Sequence, residues 1–251
     1  MWLVRILTGE RVDGERCAMR ALYLVLGLMG FWSVFLTIIF RLEKRTVWPF
    51  GELETILPSE DPNGYGTRWV QDAVASGFTM LGWSRDMKSA MYKVSYAMLV
   101  SPQRDVFAVI GTGKIWQMPM EATWLYTPTC DGRCYYSTDR QTGVQVDLSR
   151  NWTNQLAPSA RFRDLLQQHR DWLRANSVIP RNFSEGQEMA DLRRVREEHF
   201  RSMERAGLIN FTDVSANHFY FTFFGAAKTA IWSYFLGMAR QLSVGKFPRN
   251  A

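Results

Sequence analysis

Only three cysteines (Cys17, Cys130, Cys134) and three histidines (His169, His199, His218) occur in the 251 residues. That is too few cysteines for a disulfide scaffold. No histidine stands in a ligand spacing such as H-x-x-H, so a four-ligand zinc site of the usual spacing is excluded. Each isolated His reads as a surface or packing group. Also lacking are the G-x-S-x-G elbow, the dinucleotide fingerprint and any pair of acids in an apolar setting. Gly111-Thr112-Gly113-Lys114 falls short of a phosphate loop, because Ala108 and Ile115 occupy the places that need Gly and Ser or Thr. A turn between strands is the better reading of those glycines. Charge of one sign is scarce too: 30 Lys and Arg stand against 24 Asp and Glu, a dispersed surplus of +6 that gives no reason to expect nucleic acid. These absences point to a non-catalytic protein with no cofactor, structural lipids aside.

What the chain does have is one long apolar run. Residues 21–40 carry no charge, and twenty helical residues at about 1.5 Å each span roughly 30 Å, the hydrocarbon thickness of a bilayer. The run ends at Phe40-Arg41 rather than at a small-residue cleavage site, so it reads as an uncleaved transmembrane helix. Gly27, Gly30, Ser33 and Thr37 share one face at 100° per residue and form a candidate helix-packing stripe. A second segment, 218–239, holds one charge, Lys228, and a small stripe of Thr222, Gly225, Ala226, Thr229 and Ser233. It reads equally as a second membrane helix or as a helix buried against a partner. The basic segment 1–20 and the basic tail 240–251 favour both termini on the cytoplasmic or matrix side.

Between these segments, 41–66 is rich in Pro and Gly and reads as a linker. Residues 67–150 read as a small α+β domain. Trp69, Ala73 or Val74, and Phe78 suggest a helix, and Met87, Met91, Val94 and Met98 suggest another. From 105 to 148, short apolar runs broken by Gly111-Thr112-Gly113, Pro119, Asp131-Gly132 and Thr142-Gly143 suggest an antiparallel meander of four or five strands. Cys130 and Cys134 flank a turn, where they suit a local disulfide or two free thiols about equally, with half of an intermolecular metal site the rarer alternative.

Residues 151–217 read as an amphipathic helical region. Phe162, Leu165, Leu166, His169, Trp172 and Leu173 follow helical spacing, and a charged helix opens near Ser184 and runs to about Arg205. Asn151, Asn182 and Asn210 each begin an N-x-[ST] sequon, with a bulky apolar middle residue that suits a buried Asn as well as a glycan.

The expected fold is therefore an α+β membrane protein with an N-terminal transmembrane helix, a small β-meander and a helical C-terminal region. The expected function is that of an accessory subunit of a multisubunit membrane complex, of respiratory-chain or ATP synthase type, in the mitochondrial inner membrane. Its partners would be membrane lipids and other membrane-protein subunits. The alternatives are a bitopic component of a bacterial secretion or conjugation apparatus, in the bacterial inner membrane, and a membrane-bound enzyme of lipid or glycan metabolism.

Overall fold

The computed structural model describes residues 14–42, 44–55, 61, 63–85, 92–115, 118–140, 152–212 and 217–231. Its centre is a six-stranded sheet made of β2 (Thr79–Arg85), β3 (Tyr92–Val100), β4 (Phe107–Ile115), β5 (Met118–Pro128), β6 (Cys134–Thr138) and β7 (Trp152–Leu156). The strands lie in that order, antiparallel except for the parallel pair β6 and β7. Both faces are apolar, so both must be covered. On β3, Val94, Tyr96, Met98 and Val100 belong to one core while Ala97 and Leu99 belong to the other, as the two-residue period of a strand requires.

The first face packs on α4 (Glu188–Arg205) through Leu192 and Val195, and on Phe50 and Phe183. The second face packs on α2 (Tyr65–Ala75) and α3 (Phe162–Ala175) through Tyr65, Trp69, Phe162 and Leu165. In α3 the buried stripe is Phe162, Leu165, Leu166, His169 and Leu173. The first turn of α2 is held by Asp61, whose carboxylate accepts from the Gly66 and Thr67 amides at 3.0 and 2.8 Å.

A third core lies apart from the large sheet. There β1 (Arg45–Thr46), β9 (His218–Phe221) and β8 (Ile209–Phe211) form an antiparallel sheet in that order. Leu36 and Phe40 from α1 (Gly14–Leu42) close over it together with Phe219, Phe221, Met203 and Ala226 and Ala230 of α5 (Phe223–Ala230).

Several expectations are corrected. Among the described residues no helix is long and apolar enough to cross a membrane. This overturns the transmembrane reading of 21–40, the second span at 218–239, and the mitochondrial or bacterial inner-membrane location built on them. The physical reason is visible at both segments. The C-terminal part of α1 commits Leu36, Thr37 and Phe40 to a protein core. In the second segment Phe219 and Phe221 are alternate, buried residues of a strand, Thr222 breaks the run, and only the eight residues of α5 are helical before Ile231; 232–251 lies outside the described residues.

The meander of four or five strands is instead a six-stranded sheet with a second, three-stranded one. Residues 92–100, read as helix, form β3, and Gly111-Thr112-Gly113, read as a turn, lies inside β4. Gly111 is there because a Cβ would press on the rings of Trp124 and Tyr96, and Gly113 because φ is +146° beside the Lys93 and Val94 backbone. The segment 41–66 delivers Val47 and Phe50 to the cores, and Glu54 exchanges backbone hydrogen bonds with Trp83 along the edge of β2.

Candidate partner-binding surface

The large sheet buries its apolar residues, whereas α1 leaves outside most of its large apolar side chains among the described ones. Phe31 is 68% exposed, Val34 61% and Leu42 73%, and Tyr23, Leu24, Met29, Trp32, Phe35, Ile38 and Ile39 are exposed as well. Phe31, Trp32 and Phe35 form an aromatic ledge, with ring centroids 6.4 Å apart for Phe31 and Phe35 and 5.3 Å for Trp32 and Phe35. Phe223 and Phe224 at the start of α5, and Ile231 at its end, are exposed too. Since α5 packs on α1, the exposed apolar surface is concentrated on one pair of helices. Elsewhere only Leu53, Val74 and Ile179 are large, apolar and exposed among the described residues. A helix that is apolar nearly all round but covered along one stripe has further apolar surface to remove from water.

The residues chosen for helix packing divide between covered and open positions. On α1, Gly27 and Gly30 are exposed with open space where a Cβ would stand, Ser33 is half-buried and Thr37 is buried. Both hydroxyls bond inside their own helix, Ser33 to Met29 O at 2.8 Å and Thr37 to Ser33 O at 2.7 Å. On the other side, Thr222 caps α5 by accepting from the Gly225 amide at 3.0 Å, and its hydroxyl donates to Gly207 O at 2.7 Å. Gly225 rests directly on the Leu208 carbonyl, where a Cβ would overlap the oxygen. Ala226 and Thr229 are buried, the Thr229 hydroxyl without a partner among the described residues. Ser233 lies outside the described residues. Cys130 is exposed and Cys134 buried, both as free thiols, and burial pushes the Cys134 thiol far above its ordinary range.

Three polar groups are of types that can carry chemistry, and each is buried. His169 is fully buried, with Nε2 2.9 Å from Thr127 Oγ1 and Nδ1 2.7 Å from Ser137 Oγ. Burial, with Arg170 adding to it, lowers its pKa to about 3, so the ring stays neutral and pins α3 to β5 and β6. The contact between Ser137 and His169 has the spacing of a nucleophile and base, but neither residue reaches solvent. His199 lies against Trp152 with centroids 4.4 Å apart; burial first, then Arg196, bring its pKa to about 3. Among the described residues no group of three or more His, Cys, Asp and Glu converges to hold a metal.

The third group has no counterpart in the sequence reading. Tyr65 Oη donates to Asp139 Oδ2 at 2.8 Å, and the Thr123 amide donates to Asp139 Oδ1 at 2.7 Å. Arg140 covers the pair from outside, its guanidinium 5.2 Å from the Tyr65 ring centroid and 3.0 Å from Glu121. Burial raises the Asp139 pKa to about 6 and pushes Tyr65 well above its ordinary value.

No protein family, curated protein or solved structure matches this chain. The functional reading therefore rests on geometry alone, and the geometry singles out the surface of α1 and α5. Sequence spacing could have located Phe31, Val34, Phe35 and Ile38 on the side of α1 away from Leu36 and Phe40, with Ile39 at its flank. It could not show which side the domain would cover. Tyr65 and Asp139 stand 74 residues apart and left no local pattern.

Proposed function

We propose that this chain is a non-catalytic accessory subunit of a multisubunit assembly, held in place by the apolar surface of α1 and α5. The observation that carries the proposal is the concentration of exposed aromatic and aliphatic side chains on these two helices, beside a domain in which His169, His199, Tyr65 and Asp139 are buried. Covering about 400 Å² of such surface removes roughly 10 kcal/mol of unfavourable hydration. Association costs about 4 to 15 kcal/mol, so the contact must be well packed to persist. Aromatic side chains grouped as Phe31, Trp32 and Phe35 are the kind of anchor that dominates such contacts. The large sheet would then act as a rigid mount that fixes the direction in which α1 is presented.

The test is native isolation of the full chain from its own source, with the co-purifying proteins identified and their stoichiometry measured. A fixed set of partner chains is expected with the unaltered protein. It should be lost from the double variant Phe31→Glu/Phe35→Glu, whose unfolding midpoint should not change. Recovery as a lone monomer, or partners that survive both substitutions, contradicts the proposal.

A further inference from the structure

The apolar face of α1 is bracketed by exposed cations, with Glu43 the nearest acid in the sequence at one end and Glu15 at the other. Arg20 is exposed at one end, Arg41 and Lys44 are exposed at the other, and no charge stands between Arg20 and Arg41. None of the three has an ion pair among the described residues, whereas the next cation, Arg45, lies against the rings of Phe40 and Phe221 at 5.1 and 5.2 Å. At about 1.5 Å per residue the two ends are roughly 30 Å apart. Gly27 and Gly30 open the middle of the face, with free space where a Cβ would stand, so another backbone can come close.

This pattern of charge argues against a second copy. An antiparallel pair of α1 helices sets Arg20 of one copy against Arg41 and Lys44 of the other at both ends, and a parallel pair sets each cation against itself. In either arrangement cations outnumber acids where the ends meet, and like charges there oppose the contact. A partner with acids at both ends meets neither penalty.

We propose that α1 docks an apolar helix of another protein, about 20 residues long and flanked at each end by Asp or Glu. The inference rests on the reading of α1 as a partner-binding surface and adds the chemistry of what binds there. The acidic flanks set the register along the helix, while the ledge of Phe31, Trp32 and Phe35 supplies the contact.

The experiment presents two labelled helical peptides of about 26 residues to the full-length protein and reads fluorescence anisotropy. Both have the same Leu, Ala and Gly centre; one ends in Glu on both sides and the other in Lys. The Glu-ended peptide is expected to bind at least about tenfold more tightly at roughly 0.1 M salt. The preference should reverse in the variant Arg20→Glu/Arg41→Glu/Lys44→Glu, and Phe35→Glu should weaken both peptides. Equal binding of the two peptides, unaffected by charge reversal but lost with Phe35→Glu, overturns the acidic flanks and leaves the docking surface standing. Binding of neither peptide, with concentration-dependent dimers in sedimentation, assigns the face to a second copy and overturns the inference. Preferential binding to phosphatidylglycerol vesicles, with no binding of the Glu-ended peptide, overturns both the inference and the assembly reading.

Discussion

The six-stranded sheet and the α1–α5 unit use apolar residues in opposite ways. In the sheet, Phe107, Leu99, Ile110 and Leu125 are fully buried and both faces are closed by helices. In the α1–α5 unit a small core of Leu36, Phe40, Phe219 and Ala226 sits beneath a larger set of exposed apolar side chains. Burial on both sides makes the sheet self-sufficient. Burial along one stripe makes α1 stable enough to hold its shape and leaves its remaining surface available for another molecule.

The comparison breaks most directly at the cores. Phe107→Ala opens a cavity beneath Phe183, and Phe162→Ala opens one between Trp69 and Phe78. Each is expected to cost about 3 to 5 kcal/mol in urea unfolding. A loss below about 1 kcal/mol for either would mean that the sheet is not the closed unit described.

Asp139 offers a pH test of the same sealed region. Its pKa is about 6 in the folded protein, above the ordinary carboxyl value, so the folded state holds the proton more tightly than the unfolded chain. Stability from this group is thus fully present below about pH 4 and is lost as pH rises through 6, by on the order of 3 kcal/mol in total. Other carboxylates act in the opposite sense: burial disfavours the charged form of Asp61, but the amides of Thr67 and Gly66 and the Thr112 and Thr67 hydroxyls outweigh that and lower its pKa. The readout is therefore the difference between the unaltered protein and Asp139→Asn in urea unfolding at pH 4 and pH 7.5. That difference should shift in favour of the variant as pH rises. A difference that does not vary with pH would show that Asp139 is hydrated.

Gly225→Ala sharpens the boundary between the regions. The new methyl meets the Leu208 carbonyl, so α5 must lift, at a cost of about 1 to 3 kcal/mol. Hydrogen exchange should quicken in α5 and the C-terminal part of α1 while β3 and β4 keep their protection. Uniform quickening across the sheet would show that the two units unfold as one. The smallest effect is expected at the exposed ledge, where Phe35→Ser should change stability by less than about 0.5 kcal/mol. A larger loss would mean that Phe35 is part of a core.

Part of this architecture was legible and part was not, for identifiable reasons. The stripe of α3 shows because Phe162, Leu165, Leu166, His169 and Leu173 recur at a helical period that no strand shares. The spacing in β3 deceives because Val94 and Met98, four apart, fall on one face of a helix and of a strand alike. Ala97 and Leu99 decide the matter, since both faces of that strand are buried. A continuous apolar run likewise hid the break at Thr222, where an alternating strand gives way to a capped helix. The length and polarity of residues 21–40 revealed a helix but not its neighbours, and the neighbours determine what it does. Of the candidate surface, the small residues drew attention first because Gly and Ser stand out in an apolar run. The large residues between them form most of the exposed face. The pairing of β5 with β6 brings Asp139 to Thr123, the packing of α2 on the sheet brings Tyr65 to Asp139, and no local spacing encodes either step.

The central claim is that the exposed face of α1 is covered in the native assembly while the sheet domain is complete without it. Hydroxyl-radical footprinting of Trp32 and Phe35 tests it directly, comparing the native assembly with the purified chain. Strong protection of both residues in the assembly, with unchanged labelling at exposed Ile179, is the expected result. Equal labelling of Trp32 and Phe35 in the two samples would contradict the account.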